Sequence, residues 1–427
     1  MSNESGMDRR HFLKVGAGAL VAAMYAAQEL RAEPAATAAA GTLAAAGPPV
    51  NCAVIGLNVQ GRALLAALAK AGNSPVTAIC DSYAAVNARA QQIAPKAAVL
   101  DDYRKVLERS DVDAVFIATP THLHRQIALD AIQAGKHVYC EVPLAHTIDD
   151  AKAIAQAGKG SSKVFQSGVI LRTQPLGPHV RKFIETGVLA DLTSMRLQWH
   201  KKTSWRRAAG SPDREKALNW RLSKETSPGL VGECSVGQID VANWYAGGVP
   251  TAVSGFGGIL AWPDGRDVPD TVQCLFEYPK GIHLSYDGTL ASSFDGATEL
   301  FMGTDASIFM TDARAWMVKE ADSKALGWEV YAKKEQVNQE SGGIALRADA
   351  SKQLAAGLLP SEQKLIVFDE AGAQLNAVQS FLTAIRSKQK PSAGAVEGYQ
   401  ATVAALKANE AINTASRIVI PKELYDL

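Results

Sequence analysis

The stretch from residue 50 to residue 81 constrains this chain more than any other. Val50-Asn-Cys-Ala-Val-Ile55 is a short apolar run of the kind that fills a strand buried on both faces. It ends at Gly56-Leu-Asn-Val-Gln-Gly61. The segment Arg62–Lys70 then puts Leu64, Leu65 and Leu68 on one side of a helix, and a second apolar run, Val76–Cys80, ends at Asp81. A strand, a glycine loop, a helix, a second strand and an acid about 20 residues beyond the loop make up a dinucleotide-binding Rossmann unit. Each residue type has its reason. Gly56 permits the tight turn off the strand, and Gly61 lets the helix sit close to the sheet. The helix N-terminus turns free N–H groups toward a pyrophosphate. Asp81 can accept from the adenosine ribose hydroxyls, which favours NAD, with NADP still possible. Asn58 stands where the motif has its middle glycine, and with Gln60 it completes the loop. Asn tolerates a left-handed backbone, but its side chain crowds the phosphates.

A further strand, Asp113–Ala118, runs into Thr119-Pro-Thr-His-Leu-His124. Ligands of such sheets sit beyond the carboxyl ends of the strands, so Thr119, Pro120 and His124 are expected to line a nicotinamide pocket. A capping or packing role at the start of the next helix is the plain alternative for His124. The next strand, His137–Cys140, ends at Glu141-Val142-Pro143.

From these residues onward the chain resembles the Gfo/Idh/MocA family of NAD(P)-dependent sugar and polyol oxidoreductases. Ala118-Thr-Pro-Thr-His-Leu-His124 and Gly135-Lys-His-Val-Tyr-Cys-Glu-Val-Pro-Leu-Ala145 are close to the family's A-T-P-x-x-x-H and G-K-H-V-x-x-E-K-P-L-A. Asn219-Trp-Arg-Leu222 and the run Gly229–Trp244 also follow the family, as do Glu397-Gly398 and Asn409-Glu-Ala411. The resemblance implies an α/β Rossmann domain followed by an α+β domain with an open, mainly antiparallel sheet. It places Glu141 with the cofactor and implies a carbohydrate-like substrate and a homodimer or homotetramer built through the open sheet. Two departures fall on the chemistry it implies. The lysine of E-K-P is Val142 here. The histidine of D/E-x-x-x-H-x-x-D, aligned on Glu233 and Asp240, is Gly237. Alcohol oxidation needs a group to take the hydroxyl proton, and neither valine nor glycine can.

Other residues must therefore serve, if the chemistry survives. Glu233 is the first candidate, since a carboxylate in a partly apolar cleft can titrate near neutrality. Gln238 and Asp240 are expected to open a helix that runs to Tyr245, with Gln238 a candidate for binding substrate and Asp240 a candidate to serve the chemistry by holding a substrate hydroxyl, or else to brace the loop. The strand from Ser194 alternates, with Met195, Leu197 and Trp199 on one face and Arg196, Gln198 and His200 on the other. The polar face is expected to front the substrate. That makes His200, Lys201 and Lys202 candidates, together with Arg172. A solvated basic surface or a subunit contact is the alternative for that cluster.

The division expected is a leader and linker over 1–47, a Rossmann domain over 48–146 and the α+β domain over 147–427. Strands are expected over 163–171, 194–201, 251–259, 271–277, 282–290 and 298–303. Helices are expected over 147–157, 177–186, 238–246, 372–387 and 395–415, the last packing back across the domain junction. Residues 318–366 read as an inserted surface segment. At the start, Arg9-Arg10 followed by Phe12 and a weakly apolar Val15–Ala27 matches a twin-arginine export signal, so the translocase is an expected partner and the periplasm the expected location. The apolar run is too short to span a bilayer, which takes roughly 20 residues.

Composition narrows the function classes. Lys and Arg number 44 against 43 Asp and Glu, which leaves no overall basic field for nucleic acid or anionic lipid. The five cysteines lie far apart without C-x-x-C spacing, and His122 and His124 have no third ligand nearby, so a metal site is not expected. Three functions remain open: an exported sugar or polyol oxidoreductase, a glycoside hydrolase or lyase working through transient oxidation, and a binding module whose catalytic pair has been lost.

Overall fold

The structure is a computed structural model, and it describes residues 47–311, 314–327, 333–336, 344–347 and 370–427. The paired arginines and most of the linker lie outside the described residues. Strands β1 (Cys52–Ile55), β2 (Val76–Cys80), β3 (Ala98–Leu100), β4 (Ala114–Ile117), β5 (His137–Cys140) and β6 (Phe165–Ser167) form a parallel sheet in the order β3-β2-β1-β4-β5-β6. Helices α1 (Val59–Ala71), α2 (Ala84–Gln91), α3 (Tyr103–Leu107), α4 (His124–Gln133) and α5 (Ile148–Gly160) connect them. The central strands are apolar throughout because helices cover both faces, and β1 and β4 are buried at every residue. The run at 163–171, expected in the second domain, supplies β6 of this first sheet. Helix α5 is the crossover that brings β6 parallel to β5, so the Rossmann sheet continues past residue 146.

The second sheet is open and mixed, with one parallel pair among antiparallel ones. Its strands are β7 (Leu192–His200), β8 (Ala252–Gly258), β9 (Thr271–Glu277), β10 (His283–Thr289), β11 (Ala297–Gly303), β12 (Ala306–Thr311), β13 (Ala315–Lys319), β14 (Lys333–Gln336), β15 (Ile344–Arg347) and β16 (Ile418–Val419). The order is β14-β15-β13-β12-β11-β7-β10-β9-β8-β16, and β7 with β10 is the parallel pair. The β9–β10 hairpin turns through Tyr278, whose N–H donates to Ile282 O at 2.8 Å. The described parts of 318–366 include β14 and β15, which extend one edge of the sheet; the remainder of that segment lies outside the described residues.

Helices α6 (Leu176–Glu185), α7 (Pro212–Leu218), α8 (Gly229–Ala246), α9 (Glu370–Ser387) and α10 (Ala395–Thr414) complete the described helices. Helix α8 starts at Gly229, well before Gln238, so Gln238 and Asp240 lie within it and do not open it. It is buried nearly all round, because it is wedged between the sheet and α10. Gly229 is needed there: a Cβ would stand 2.0 Å from Asn409 Oδ1 on α10. Helix α10 packs on α8, α5 and β8, and so bridges the two sheets. Helix α9 returns to the Rossmann domain against α1, where the buried Phe381 meets Phe116 edge-on at 5.2 Å. No helix among the described residues is long and apolar enough to cross a membrane.

Candidate functional site

A cleft of about 1650 Å³ lies between the carboxyl ends of β1 and β4 and the second domain. Strands β1 and β4 are neighbours where the order of the parallel sheet reverses, which is where such sheets take ligands. Gly56 adopts φ +87°, and a Cβ there would stand 2.6 Å from the Ala118 carbonyl carbon. A Cβ on Gly61 would stand 1.8 Å from Gly56 O, so α1 lies directly on the turn. Asn58 is not left-handed: it caps α1 with φ −71°, and its Oδ1 accepts from Val59 N at 3.1 Å. The Asp81 carboxylate accepts from Leu57 N at 2.9 Å and from Tyr83 N at 3.0 Å, which fixes it at the edge of the glycine loop.

These residues fit a dinucleotide. The loop permits close backbone approach, Asp81 and Pro120 line the same groove, and the buried Thr119 hydroxyl has no partner among the described residues. Gln60 donates to Glu141 Oε1 at 2.8 Å. The Glu141 carboxyl is enclosed beside Gly168, and burial pushes it up to about 7, against the pull of the Gln60 hydrogen bond. His124 lies behind the Thr119–Pro120 turn and not on the cleft wall. It is 2% exposed, with Nδ1 at 3.0 Å from Pro143 O and Nε2 at 2.9 Å from Thr119 O. Burial pushes its pKa down to about 4, opposed by the two carbonyls it faces, and the ring braces the turn from behind.

Glu233 lies deeper in the same cleft, on the first turns of α8. Its carboxylate accepts from Thr121 Oγ1 at 3.0 Å and pairs with Arg221 Nε at 2.7 Å. Burial raises its pKa, and the Arg221 charge works against that rise. The Arg221 guanidinium is 4.4 Å from the centre of the Trp220 ring. His122 also lines the cleft, 6.0 Å from Trp220 and 6.3 Å from His146 between ring centres, and burial lowers its pKa. Lys201 is on the wall as expected. Val142 packs against the core, and a Cβ built on Gly237 would meet nothing within 4 Å.

Other expected residues sit elsewhere. Asp240 is 1% exposed and pairs with Arg172 Nε at 2.6 Å; burial pushes its carboxyl up to about 6, opposed by Arg172. Arg172 in turn lies over the Trp244 ring at 4.9 Å, so this pair braces α8 and does not face the cleft. Gln238 ties α8 to the sheet through Gln198 O at 2.9 Å and Glu299 Oε1 at 2.8 Å. His200 is also off the cleft. It contacts Phe294 O through Nδ1 at 3.0 Å, and its Nε2 lies 3.3 Å from Asp287 on β10. The helices cover the Met195–Leu197–Trp199 face of β7, so that face and not the polar one leads to the cleft, with Trp199 on its wall.

Sequence reasoning missed the cationic strap that crosses the cleft. Arg207 Nη1 donates to Asn58 Oδ1 at 3.2 Å, and the Arg214 guanidinium lies 3.8 Å from the centre of the Tyr83 ring. The available signal was the density of Arg and Trp between Trp205 and Arg221.

Residues 50–169 match the oxidoreductase family with an NAD-binding Rossmann fold, and residues 178–309 match the Gfo/Idh/MocA C-terminal domain. The chain belongs to the Gfo/Idh/MocA family. Its first domain is an NAD-binding Rossmann domain. Levoglucosan dehydrogenase of Pseudarthrobacter phenanthrenivorans is 34% identical over 147 residues, 34% of this chain and 36% of that protein. An alpha-N-acetylgalactosaminidase of Shewanella oneidensis is 33% identical over 173 residues, 36% of this chain and 38% of that protein. The matched region thus spans little more than a third of either relative. A solved levoglucosan dehydrogenase, in complex with NADH and levoglucosan, superposes with a TM-score of 0.70 at 23% identity, covering 88% of this chain and 100% of that one. That likeness is one of fold.

Proposed function

We propose that this chain is an exported NAD-dependent oxidoreductase acting on a sugar, polyol or glycoside. The observation that carries this reading is Glu233, a buried carboxylate at the inner end of the cleft that the glycine loop opens. When bound, NAD accepts hydride from a carbinol carbon. The substrate hydroxyl must then lose its proton, and Glu233 is the group we assign to receive it, in place of the residues replaced by Val142 and Gly237. Arg221 and Thr121 orient it. The Asp81 carboxylate disfavours a cofactor with a 2′-phosphate at that position. Arg9-Arg10 supports export through the twin-arginine translocase, which carries folded proteins, and a retained cofactor would then be recycled on the enzyme. Assembly as a dimer or tetramer through the open sheet belongs to the same reading.

A second reading is glycoside cleavage on the same site. The α-N-acetylgalactosaminidase relative supports it, and so does the open space at Gly237. Oxidation of a ring carbinol acidifies the neighbouring C–H. Loss of that proton expels the glycosidic oxygen, water adds back, and the hydride returns, so no net NADH forms.

The test is to release small molecules from the purified full chain, then assay it with levoglucosan, scyllo-inositol and an aryl α-N-acetylgalactosaminide. Stoichiometric NADH formation that Glu233→Gln abolishes supports the oxidoreductase. Aryl release without net NADH supports the glycosidase. A protein that binds NAD but turns over only as the Val142→Lys/Gly237→His double variant is a binding module. A chain that holds no nucleotide and binds none at millimolar concentration refutes the first two.

A further inference from the structure

The strap that crosses the cleft is built to hold one side chain. The Asn219 side chain grips the Arg207 backbone from both sides, accepting from its N–H at 2.7 Å and donating to its carbonyl at 2.8 Å. Arg206 fastens the same strap to Glu215 at 2.8 Å and to Asp264 at 3.5 Å, and Arg266 ties Asp264 to Ser204 O. Past this anchorage, the Arg207 guanidinium reaches across the cleft to Asn58 at the N-terminus of α1. Among the described residues no carboxylate lies within ion-pair distance of it. It is therefore a cation on a held backbone, with donors to spare, on the wall of the cleft that the glycine loop opens.

Asn58 explains why a cation is needed there. A glycine at this position lets backbone and phosphates approach closely. Asn58 instead uses Oδ1 to take up the Val59 N–H, one of the free donors that α1 would offer a phosphate. The same oxygen accepts from Arg207. The substitution thus trades a backbone donor for a guanidinium delivered from the second domain.

We infer that Arg207 is a ligand of the cofactor's pyrophosphate, taking over the contact that the glycine replaced by Asn58 would allow. This rests on the NAD-dependent reading above and deepens it. The strap touches the Rossmann domain at Asn58 through Arg207 and at Tyr83, beside Asp81, through Arg214, so an Arg207–phosphate contact would slow cofactor release. Slow release suits a protein carried out of the cytoplasm with its cofactor.

The experiment compares the full chain with Arg207→Gln. NADH affinity is read by fluorescence titration and the release rate by displacement with excess NAD. ADP-ribose and adenosine serve as competitors. Arg207→Gln should weaken NADH and ADP-ribose about tenfold or more, speed NADH release similarly and leave adenosine and the melting temperature unchanged. The ratio to wild type should shrink as salt rises. Unchanged NADH affinity and release, or an equal loss for adenosine, overturns the assignment while NAD dependence stands. A wild-type chain that binds neither NADH nor ADP-ribose overturns the NAD-dependent reading, and the assignment with it.

Discussion

Glu141→Gln should make the protein more stable at alkaline pH and leave it little changed in mild acid. The carboxyl of Glu141 is enclosed beside Gly168 with Gln60 as its donor, and burial moves it from the ordinary 4.5 to about 7. Between those values the native state keeps a proton that the unfolded chain has released. The contribution of this group is therefore fully present below about 4.5 and is lost as pH rises through about 7. The interval corresponds to roughly 3 kcal/mol, and adjustment of the surroundings leaves about 1–3 kcal/mol to be seen. Glutamine has nearly the same shape and does not titrate. The difference in unfolding free energy between Glu141→Gln and wild type should grow by that amount from pH 5 to pH 8, because all other groups cancel in the comparison. Urea unfolding at pH 5, 6, 7 and 8 measures it, given equal m-values. A difference that stays constant over this range would refute the reasoning: the carboxyl would then be ionised throughout, solvated by Gln60 and its neighbours.

Three further outcomes follow from the geometry. Arg172→Met strands the buried Asp240 and should cost about 3–5 kcal/mol at pH 8 by urea unfolding. The cost should be smaller at pH 5, where Asp240, already up to about 6, takes a proton. Gly61→Ala drives a Cβ into Gly56 O, so NADH titration should show binding lost while about 1–3 kcal/mol of stability is lost in thermal unfolding. Gly237→His enters open space on a helix and should shift the unfolding free energy by less than about 1 kcal/mol, making it a clean site for testing a restored imidazole.

The Rossmann unit was legible because its constraints are local. A strand must end before Gly56 can turn, and Gly61 must follow at the spacing that sets α1 on the sheet. The open sheet was legible as strands but not as neighbours. An apolar run at 163–171 does not say which sheet it joins; its pairing with β5, after the crossover through α5, does. Alternation in β7 correctly separated Met195 and Leu197 from Arg196 and Gln198, yet it cannot say which face meets the cleft. Packing of α8 and α10 decides it, and His200 falls on the wrong side. Glycines at 229, 232 and 237 masked the true start of α8, since they read as breakers in isolation; Gly229 is required by Asn409 on α10 and Gly232 by Pro228, while Gly237 faces open space. The motif was enough to single out Glu233, which the fold places on the cleft; Arg207 was missed because its partner lies 149 residues away.

A net charge near zero also concealed how charge is arranged. The 44 basic and 43 acidic side chains nearly cancel over the chain, yet on the cleft Arg207 has no carboxylate within ion-pair distance among the described residues. Arg207 enters from the second domain and reaches the N-terminus of α1, which itself offers only partial charges. At an effective dielectric near 20, one full charge about 4 Å from a phosphate contributes about 4 kcal/mol before desolvation, more than a helix end supplies. Farther in, Arg221 and Glu233 neutralise each other beside Trp220. The glycine-loop end of the cleft thus holds an uncompensated cation, Arg207, and the Glu233 end a mutually neutralised pair with an aromatic wall. This division predicts that substitutions in the strap change cofactor retention without changing substrate choice, and that substitutions around Trp220 do the reverse.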